Sequence, residues 1–197
     1  MAISEEKSKM IQDSRRKQIL DAAIVLFDQQ GFTNTKITDI SEKAGISKGL
    51  VYRYFSSKEE ILLALHENID HCINECFHIE SAKDAIITFA MRLLSYPYYD
   101  GYGAPPIRVF FNAIVRKEID VPDEINPLKK DFGREYFGAL FKRGQEQGYF
   151  KDGDSAVFGD IFWKYMLGYL SELCQYGNQQ PSTPNLEPVL KLFEKDM

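Results

Sequence analysis

The chain has little cysteine and no long apolar run. Three cysteines among 197 residues are too few, and odd in number, for a disulfide framework, which indicates a reducing compartment such as the cytoplasm. No stretch of about 18 consecutive apolar residues occurs, so the sequence predicts no membrane-spanning helix. Residues 1–17, MAISEEKSKMIQDSRRK, are charged and contain no apolar stretch, and we therefore expect no signal peptide.

The motifs that commonly carry catalysis are also missing. The sequence contains no phosphate-binding G-x-x-x-x-G-K-[ST] loop and no G-x-S-x-G nucleophile turn. His66 and Glu67 begin an H-E-x-x-H zinc pattern, but the next histidine, His71, follows five residues after His66 instead of four. We therefore predict that the protein is not an enzyme, that it has no catalytic residues and that it needs no cofactor.

Charge is divided unevenly along the chain. The formal net charge is −5, and 44% of the residues are hydrophobic, as is ordinary for a globular protein. Residues 1–58 nevertheless contain ten Lys or Arg against seven Asp or Glu, whereas the remainder contains fourteen against twenty-two. The N-terminal part is therefore the part suited to an anionic partner.

The stretch Thr35–Lys58 contains two short helix patterns separated by a turn. Apolar residues recur with helical spacing before the turn, at Ile37, Ile40 and Ala44. Thr35 is the predicted N-cap of this first helix, and Gly45 ends it because glycine adopts a left-handed backbone without steric cost. Ser47 is then placed to cap the second helix. The pattern is typical of a helix-turn-helix.

The second of these helices has two different faces. Val51 and Phe55, four residues apart, point to the core, whereas Gly49 and Arg53 point outward beside cationic and aromatic side chains. Such a face suits a major groove, because glycine permits close approach and the polar side chains reach phosphates or bases. The predicted DNA-contacting residues are Thr35, Thr38, Ser47, Lys48, Gly49, Leu50, Tyr52, Arg53, Tyr54 and Lys58.

Two of these residues have particular expected roles. Leu50 is apolar and lies next to the groove, so we expect it to touch a thymine methyl group. Ser57 and Glu60 form an S-x-x-E capping box that opens the next helix, and Lys58 beside that helix N-terminus is expected to contact phosphate.

Three segments of the sequence, FDQQGF, ITDISEKAG and SKGLVYRYFSSKEEIL, resemble the N-terminal domain of the tetracycline-repressor (TetR) family. The similarity covers about Arg15 to Leu65, with three helices and two turns in register. It implies an all-helical homodimer whose C-terminal domain binds a small effector and thereby controls the affinity for DNA. It implies no particular ligand.

Helical patterns separated by breaks continue to the end of the chain, so we predict an all-α protein. The expected domains are a DNA-binding domain, residues 1–58, and a ligand-binding and dimerisation domain, residues 59–197. The predicted helices span about 13–30, 58–77, 82–95, 106–117, 126–147, 155–176 and 186–193, besides the two of the helix-turn-helix. The helix after Asp154 is apolar over more than half its circumference and therefore needs cover on two sides. We expect the last two helices to form a homodimer interface, which would place two reading helices on a pseudo-palindromic operator.

Aromatic residues make up 13% of the chain and many lie in its C-terminal part. They predict either a packed core or the walls of a pocket for a flat or elongated apolar molecule, with Asn112 as a polar contact. The loop of residues 96–106, YPYYDGYGAPP, either lines the mouth of that pocket or covers a helical core. The candidate ligand-binding residues are Met91, Tyr98, Phe110, Phe111, Asn112, Phe137, Phe141, Phe162, Trp163, Met166 and Tyr169.

A metal or thiol sensor is the alternative reading of the fourth helix. His71, Glu75 and His78 share one helix face, and Cys72 and Cys76 form a separate pair four residues apart. A metal would need a further ligand from elsewhere, and the sequence indicates none. Surface histidines and buried cysteines are the simpler interpretation, and we predict no metal site.

Overall fold

The computed structural model describes residues 2–95, 106–123, 126, 128, 131–176 and 185–195. These residues contain no β-strand; Phe150 and Glu194 form one isolated antiparallel bridge. The prediction of an all-α protein is confirmed. The helices are α1 (Ala2–Gln30), α2 (Ile37–Lys43), α3 (Lys48–Tyr54), α4 (Lys58–Phe77), α5 (Ala82–Ser95), α6 (Pro106–Val115), a π-helical segment (Gly133–Phe137), α7 (Gly138–Glu146), α8 (Ser155–Tyr176) and α9 (Glu187–Lys191).

The contacts of the chain cluster into two compact units. Unit 1 comprises Met1–Glu67 and Pro97–Ile119, and unit 2 comprises Asn68–Tyr96 and Asp120–Met197. Helix α4 runs without interruption from the first unit into the second. In the part of the chain that the structure describes, no helix is both long enough and apolar enough to cross a bilayer.

Helix α1 provides much of the core of unit 1. Its inward residues Ile19, Leu20, Ala23, Ile24 and Phe27 are buried. The prediction that the helix begins near Asp13 is wrong, because the structure extends it back to Ala2. The segment contains good helix formers and neither glycine nor proline, so nothing in it stops the helix. At the other end Gly31, with φ +82°, terminates the helix after Gln30, as the predicted range of 13–30 requires, and Phe32 packs on Phe27 with ring centroids 5.2 Å apart.

A buried ion pair joins α6 to α1 within unit 1. The Arg108 guanidinium donates to Asp28 Oδ1 through Nε (2.9 Å) and Nη2 (2.6 Å). The two side chains are only 6% and 8% exposed, so water hardly reaches them and each charge is compensated by the other. Nothing in the helical patterns of the sequence indicates this pairing.

Unit 2 is built around the contact of the π-helical segment and α7 with α8. Three glycines bring these backbones together: Cβ atoms added to Gly133 and Gly138 would lie 2.5 Å from Trp163 Cβ and 3.0 Å from Ala156 Cα. One added to Gly159 would overlap the Gly138 and Gly133 backbones. Close helix packing of this kind needs glycine on the touching faces.

The predicted helix from Asn126 to Gln147 is wrong at its start. Asn126 does not cap a helix; its Oδ1 accepts from Leu128 N–H (3.0 Å) in a local turn, and helical structure begins at Phe132. The end of the helix agrees with the prediction, with Gly148 in the left-handed region at φ +79°.

Helices α8 and α9 complete unit 2. Asp154 caps α8 as predicted, because its Oδ1 accepts from the amides of Ala156 (3.0 Å) and Val157 (3.2 Å). The inward residues of the two helices are buried: Phe162, Trp163, Met166, Leu170, Leu186, Val189, Leu190 and Phe193. Large apolar side chains nevertheless remain exposed on the outside of this unit, at Ile161, Tyr165 and Leu192.

Candidate nucleic-acid interface

The turn between α2 and α3 has the geometry that the sequence predicts. Gly45 has φ +65°, its N–H donates to Glu42 O (3.1 Å), and Ile46 N–H donates to Ser41 O (3.0 Å). These two bonds satisfy carbonyls at the end of α2. Ser47 then caps α3, with its Oγ accepting from Leu50 N–H at 3.2 Å. The helix-turn-helix is therefore fixed by local bonds at both sides of the turn.

The predicted cap at Thr35 is wrong. The residue is buried, its hydroxyl donates to Gly31 O (2.8 Å), and it accepts from Gln30 Nε2 (3.3 Å). Its side chain is therefore held inside the domain. Lys36 occupies the N-cap position, and its N–H donates to Asp39 Oδ2 at 2.9 Å.

Asp39 is a residue whose role the sequence analysis missed. The backbone hydrogen bond from Lys36 is the main cause that lowers the pKa of the Asp39 carboxyl. An acidic residue at the third position of a helix is a recognisable signal, because a carboxylate there accepts from the free amide at the helix start.

Helix α3 has one buried face and one open face. Val51 is fully buried and Phe55, which caps the helix C-terminus, is 2% exposed. On the other side a Cβ added to Gly49 would meet no described atom within 4 Å. We call the surface formed by eight of the ten predicted DNA contacts, all but Thr35 and Lys58, the reading face. All eight residues are exposed or half-exposed: Thr38, Ser47, Lys48, Gly49, Leu50, Tyr52, Arg53 and Tyr54.

Two residues of the reading face are mutually oriented. The Lys48 ammonium lies 5.7 Å from the centroid of the Tyr52 ring, one helical turn away. Tyr52 is 48% exposed, so the ring and its hydroxyl remain accessible to a partner. The pair therefore places a positive charge and a hydrogen-bond donor side by side on the exposed surface.

Lys58, which the sequence predicts to contact phosphate, donates its hydrogen bonds within the domain. Its Nζ donates to the backbone oxygens of Phe32 (2.6 Å), Thr35 (3.0 Å) and Thr33 (3.2 Å). The same ammonium lies 4.3 Å from the centroid of the Phe32 ring. Burial lowers the pKa of Lys58 from its usual value. The side chain is therefore directed into the domain, toward the connection between α1 and α2.

The start of α4 is capped by two serines. Ser57 Oγ accepts from Glu60 N–H (3.1 Å), which is the first half of the predicted capping box. The return bond goes to the preceding residue, because Glu60 Oε2 accepts from both N–H and Oγ of Ser56 (2.6 Å each). The Ser56 hydroxyl is the main cause that lowers the pKa of Glu60. Nearby, the Arg16 guanidinium lies 5.2 Å from the centroid of the Phe55 ring and ties α1 to the end of α3.

Comparison with known proteins agrees with this geometry. Residues 19–65 match the family model of bacterial regulatory proteins of the tetR family. The chain is 26% identical over 187 residues to the uncharacterized HTH-type transcriptional regulator YvkB of Bacillus subtilis (strain 168), covering 91% of this chain and 95% of YvkB. Residues 19–65 are therefore similar to the N-terminal domain of TetR-family regulators.

Two further similar proteins support the N-terminal domain and the fold. The HTH-type transcriptional regulator HbdR of Aromatoleum sp. (strain CIB) is 42% identical over 57 residues, which span 29% of this chain and about a quarter (25%) of HbdR. The ketosteroid transcriptional regulator KstR2 of Mycobacterium tuberculosis has the same fold, with a TM-score of 0.65 and 19% identity over 92% of this chain and 96% of KstR2. These relatives are transcriptional regulators and not enzymes.

The predicted effector-binding residues fall into both units. Phe110 and Phe111 are buried on α6 in unit 1, and Asn112 beside them is half-exposed. In unit 2, Phe137 lies 4.9 Å from Phe162 and 5.8 Å from Trp163 between ring centroids. Phe141 and Met166 are buried in the same unit, Met91 and Tyr169 are half-exposed, and Tyr98 lies outside the described residues.

The alternative of a metal or thiol sensor gains no support. Glu75 is paired with Arg92 (2.8 Å), Cys76 is buried and His78 is exposed. The side chains of His71 and Cys72 lie outside the described residues. Among the side chains that are described, no three of His, Cys, Asp or Glu come together in a group that would hold a metal.

Proposed function

We propose that the protein is a ligand-responsive, cytoplasmic transcriptional regulator that binds a palindromic operator through the reading face. The observation that carries the proposal is the two-sided character of α3. Val51 and Phe55 anchor the helix to the core, while Lys48, Gly49 and Arg53 face outward with open space above the glycine. A helix suits the major groove of duplex DNA when one face packs on the core and the exposed face is cationic and contains a glycine that permits close approach.

The proposed regulator acts as a homodimer. One helix the size of α3 reads few base pairs, whereas two related by a twofold axis read half-sites about 34–36 Å apart. The apolar side chains exposed on unit 2, Ile161, Tyr165 and Leu192, support pairing through the last two helices. In this proposal residues 1–58 form the DNA-binding domain and residues 59–197 the effector-binding and dimerisation domain.

The proposed mode of action is repression that a small apolar or aromatic effector relieves. The aromatic side chains of unit 2 support that class of effector, because such rings contact flat or elongated apolar molecules over large areas. KstR2, named a ketosteroid regulator, is consistent with it. The effector weakens DNA binding by its differential affinity for the two states of the dimer.

Selection from a pool of random duplexes tests the DNA-binding part of the proposal. We expect enrichment of a pseudo-palindrome and an affinity that falls at least tenfold between 50 and 200 mM salt, because bound phosphates release counterions. Lys142→Met, which alters an exposed lysine of α7, is the matched control and retains the wild-type affinity. An unenriched pool, or an affinity independent of salt, contradicts the proposal.

Leu50→Ala tests the reading face at one base pair. If Leu50 touches a thymine methyl group, its truncation relaxes the preference at one position of each half-site, by about 1 kcal/mol or more. Tyr52→Ala removes a polar contact instead and weakens binding to all sequences alike. Repeating the selection with both variants distinguishes these effects, and an unchanged preference in Leu50→Ala contradicts the assignment.

The single tryptophan provides a test of the effector class. Trp163 is the one tryptophan in the chain and packs within the aromatic side chains of unit 2. We expect a steroid or a long-chain fatty acid, titrated into the dimer, to change Trp163 emission and to release a bound operator duplex over the same concentrations. A change in emission with no loss of DNA binding contradicts the coupling.

A further inference from the structure

Lys58 occupies an unusual position for a lysine at the start of a helix. It is the first residue of α4, yet its side chain reaches back to the connection between α1 and α2. All three backbone oxygens that it contacts, those of Phe32, Thr33 and Thr35, belong to that connection, at 2.6, 3.2 and 3.0 Å. An ammonium has three N–H donors, so this arrangement uses all of them.

The Lys58 ammonium also contacts an aromatic ring. The ammonium lies 4.3 Å from the centroid of the buried Phe32 ring, which gives a cation–π contact in a partly desolvated place. Burial disfavours the charged form of Lys58, in agreement with its lowered pKa. A phosphate contact would require the ammonium to leave three carbonyls and the ring, so a role inside the domain is the one that its bonds support.

The connection that Lys58 holds leads directly into the reading helix. Thr35 is followed by Lys36, the N-cap of α2, and α2 is joined to α3 through the rigid turn at Gly45. A displacement of residues 32–35 therefore carries α2 and α3 with it.

We propose that Lys58 is a positioning residue, which locks the connection between α1 and α2 to the first turn of α4 and so sets the placement of the reading face. The inference rests on the proposed function, since it concerns how the DNA-binding surface is held. It assigns Lys58 no contact with DNA. The consequence is that the first turn of α4 and the reading helix move together for as long as the three hydrogen bonds persist.

The inference predicts an effect on sequence-specific binding that a lost phosphate contact does not produce. A misplaced reading helix loses its base contacts, while non-specific binding depends on charge near the backbone and tolerates small shifts. Loss of a phosphate contact weakens both kinds of binding equally and lowers the slope of log affinity against log salt by about one.

Lys58→Met is the decisive variant, because methionine retains an apolar stem beside Phe32 and removes the ammonium. Its affinity is measured on the selected operator and on a scrambled duplex at several salt concentrations, at a temperature where circular dichroism shows the variant to be folded. We expect at least a tenfold loss on the operator, less than a twofold loss on the scrambled duplex and an unchanged salt slope. Lys48→Met, on the reading face, is the matched comparison and lowers the slope on both duplexes.

Lys58→Arg keeps the inference testable if Lys58→Met does not fold. The planar guanidinium retains the charge but does not direct three donors to one point, so the operator affinity of this variant falls while its salt slope stays that of the wild type. Wild-type binding by Lys58→Arg, or a reduced slope in Lys58→Met, overturns the inference and makes Lys58 a phosphate contact. Absence of operator binding in the wild type overturns instead the proposed function.

Discussion

Lys58 and Thr35, both predicted to contact DNA, make hydrogen bonds within the domain. Both lie beside the helix-turn-helix in the sequence, and both carry groups that bind phosphate in other settings. In the fold the Thr35 hydroxyl is bonded to Gly31 O (2.8 Å) and the Thr35 carbonyl accepts from Lys58 (3.0 Å). Sequence spacing places a residue near a surface, but which side chains turn inward depends on the acceptors that the fold places around them.

Gly49→Ala separates stability from DNA binding at one position. Alanine is favoured over glycine within a helix by about 1 kcal/mol, and a Cβ at Gly49 meets no described atom within 4 Å, so we expect a higher urea midpoint. The added methyl group nevertheless holds the helix away from the groove, and we expect operator affinity to fall several-fold. Urea unfolding and titration with the operator duplex measure the two effects, and equal or tighter binding contradicts close approach at Gly49.

Glycines and capping residues near each helix determine where the helix ends, whereas packing against the rest of the fold determines its contacts. Gly31, Gly45 and Gly148 all adopt positive φ at helix ends, and Ser47 and Asp154 cap helices where the sequence predicts them. The π-helical segment has no such signal. A periodicity of 3.6 residues indicates a helix and its buried face, but it does not distinguish a π-helical turn from an α-helical one.

The close packing of the π-helical segment and α7 on α8 depends on glycine. Gly159→Ala places a methyl group against the backbone of Gly138 and Gly133, and backbone atoms cannot move aside as a side chain can. We expect a loss of about 2–3 kcal/mol in the free energy of unfolding, measured in urea. Gly49→Ala in α3 is the comparison, because its added methyl group meets no described atom within 4 Å and is expected to raise the free energy of unfolding. An unchanged free energy of unfolding in Gly159→Ala would show that the helices can move apart without loss of stability.

The cap of α4 gives a pH dependence of known sign. The pKa of Glu60 is lowered in the folded state by the Ser56 hydrogen bonds, so its stabilising contribution is complete above the unfolded value of about 4.3 and is lost as the pH falls through the folded value. Glu60→Gln is therefore expected to be less stable than wild type at pH 7, by a margin that shrinks toward pH 3. Glu59→Gln removes a charge from the same turn, leaves the Ser56 bonds in place and shows no such convergence.

In the molecule as a whole, the proposed function depends on pairing of two chains. Ile161 is 44% exposed and Tyr165 is 37% exposed on α8, although this helix is apolar over more than half its circumference. The sequence predicts that α8 needs cover on two sides, and in one chain only one side is buried. The helix-turn-helix was more predictable than the C-terminal part of the chain, because caps and turns fix the former and packing between distant segments fixes the latter.

Ile161→Glu tests pairing through α8. The side chain is half solvated in the single chain, so a charge there costs little to the fold, whereas burial of that charge against a second copy is expensive. We expect sedimentation to show a shift from dimer to monomer and operator affinity to fall at least tenfold, with the circular dichroism unchanged. Ser171→Glu, on an exposed position of the same helix, retains the dimer. A dimeric Ile161→Glu variant contradicts this interface.

The ion pair between Asp28 and Arg108 determines where this regulator can be cut and rejoined. A chimera that takes residues 1–58 from this chain and the remainder from another family member keeps the carboxylate and discards its guanidinium, which leaves an uncompensated charge at a cost of about 3–5 kcal/mol. Transplanting residues 106–115 together with the N-terminal segment preserves the pair. To exchange operator specificity between relatives, two segments must therefore be transplanted together. The second segment begins at residue 106, nearly fifty residues after the junction at residue 58.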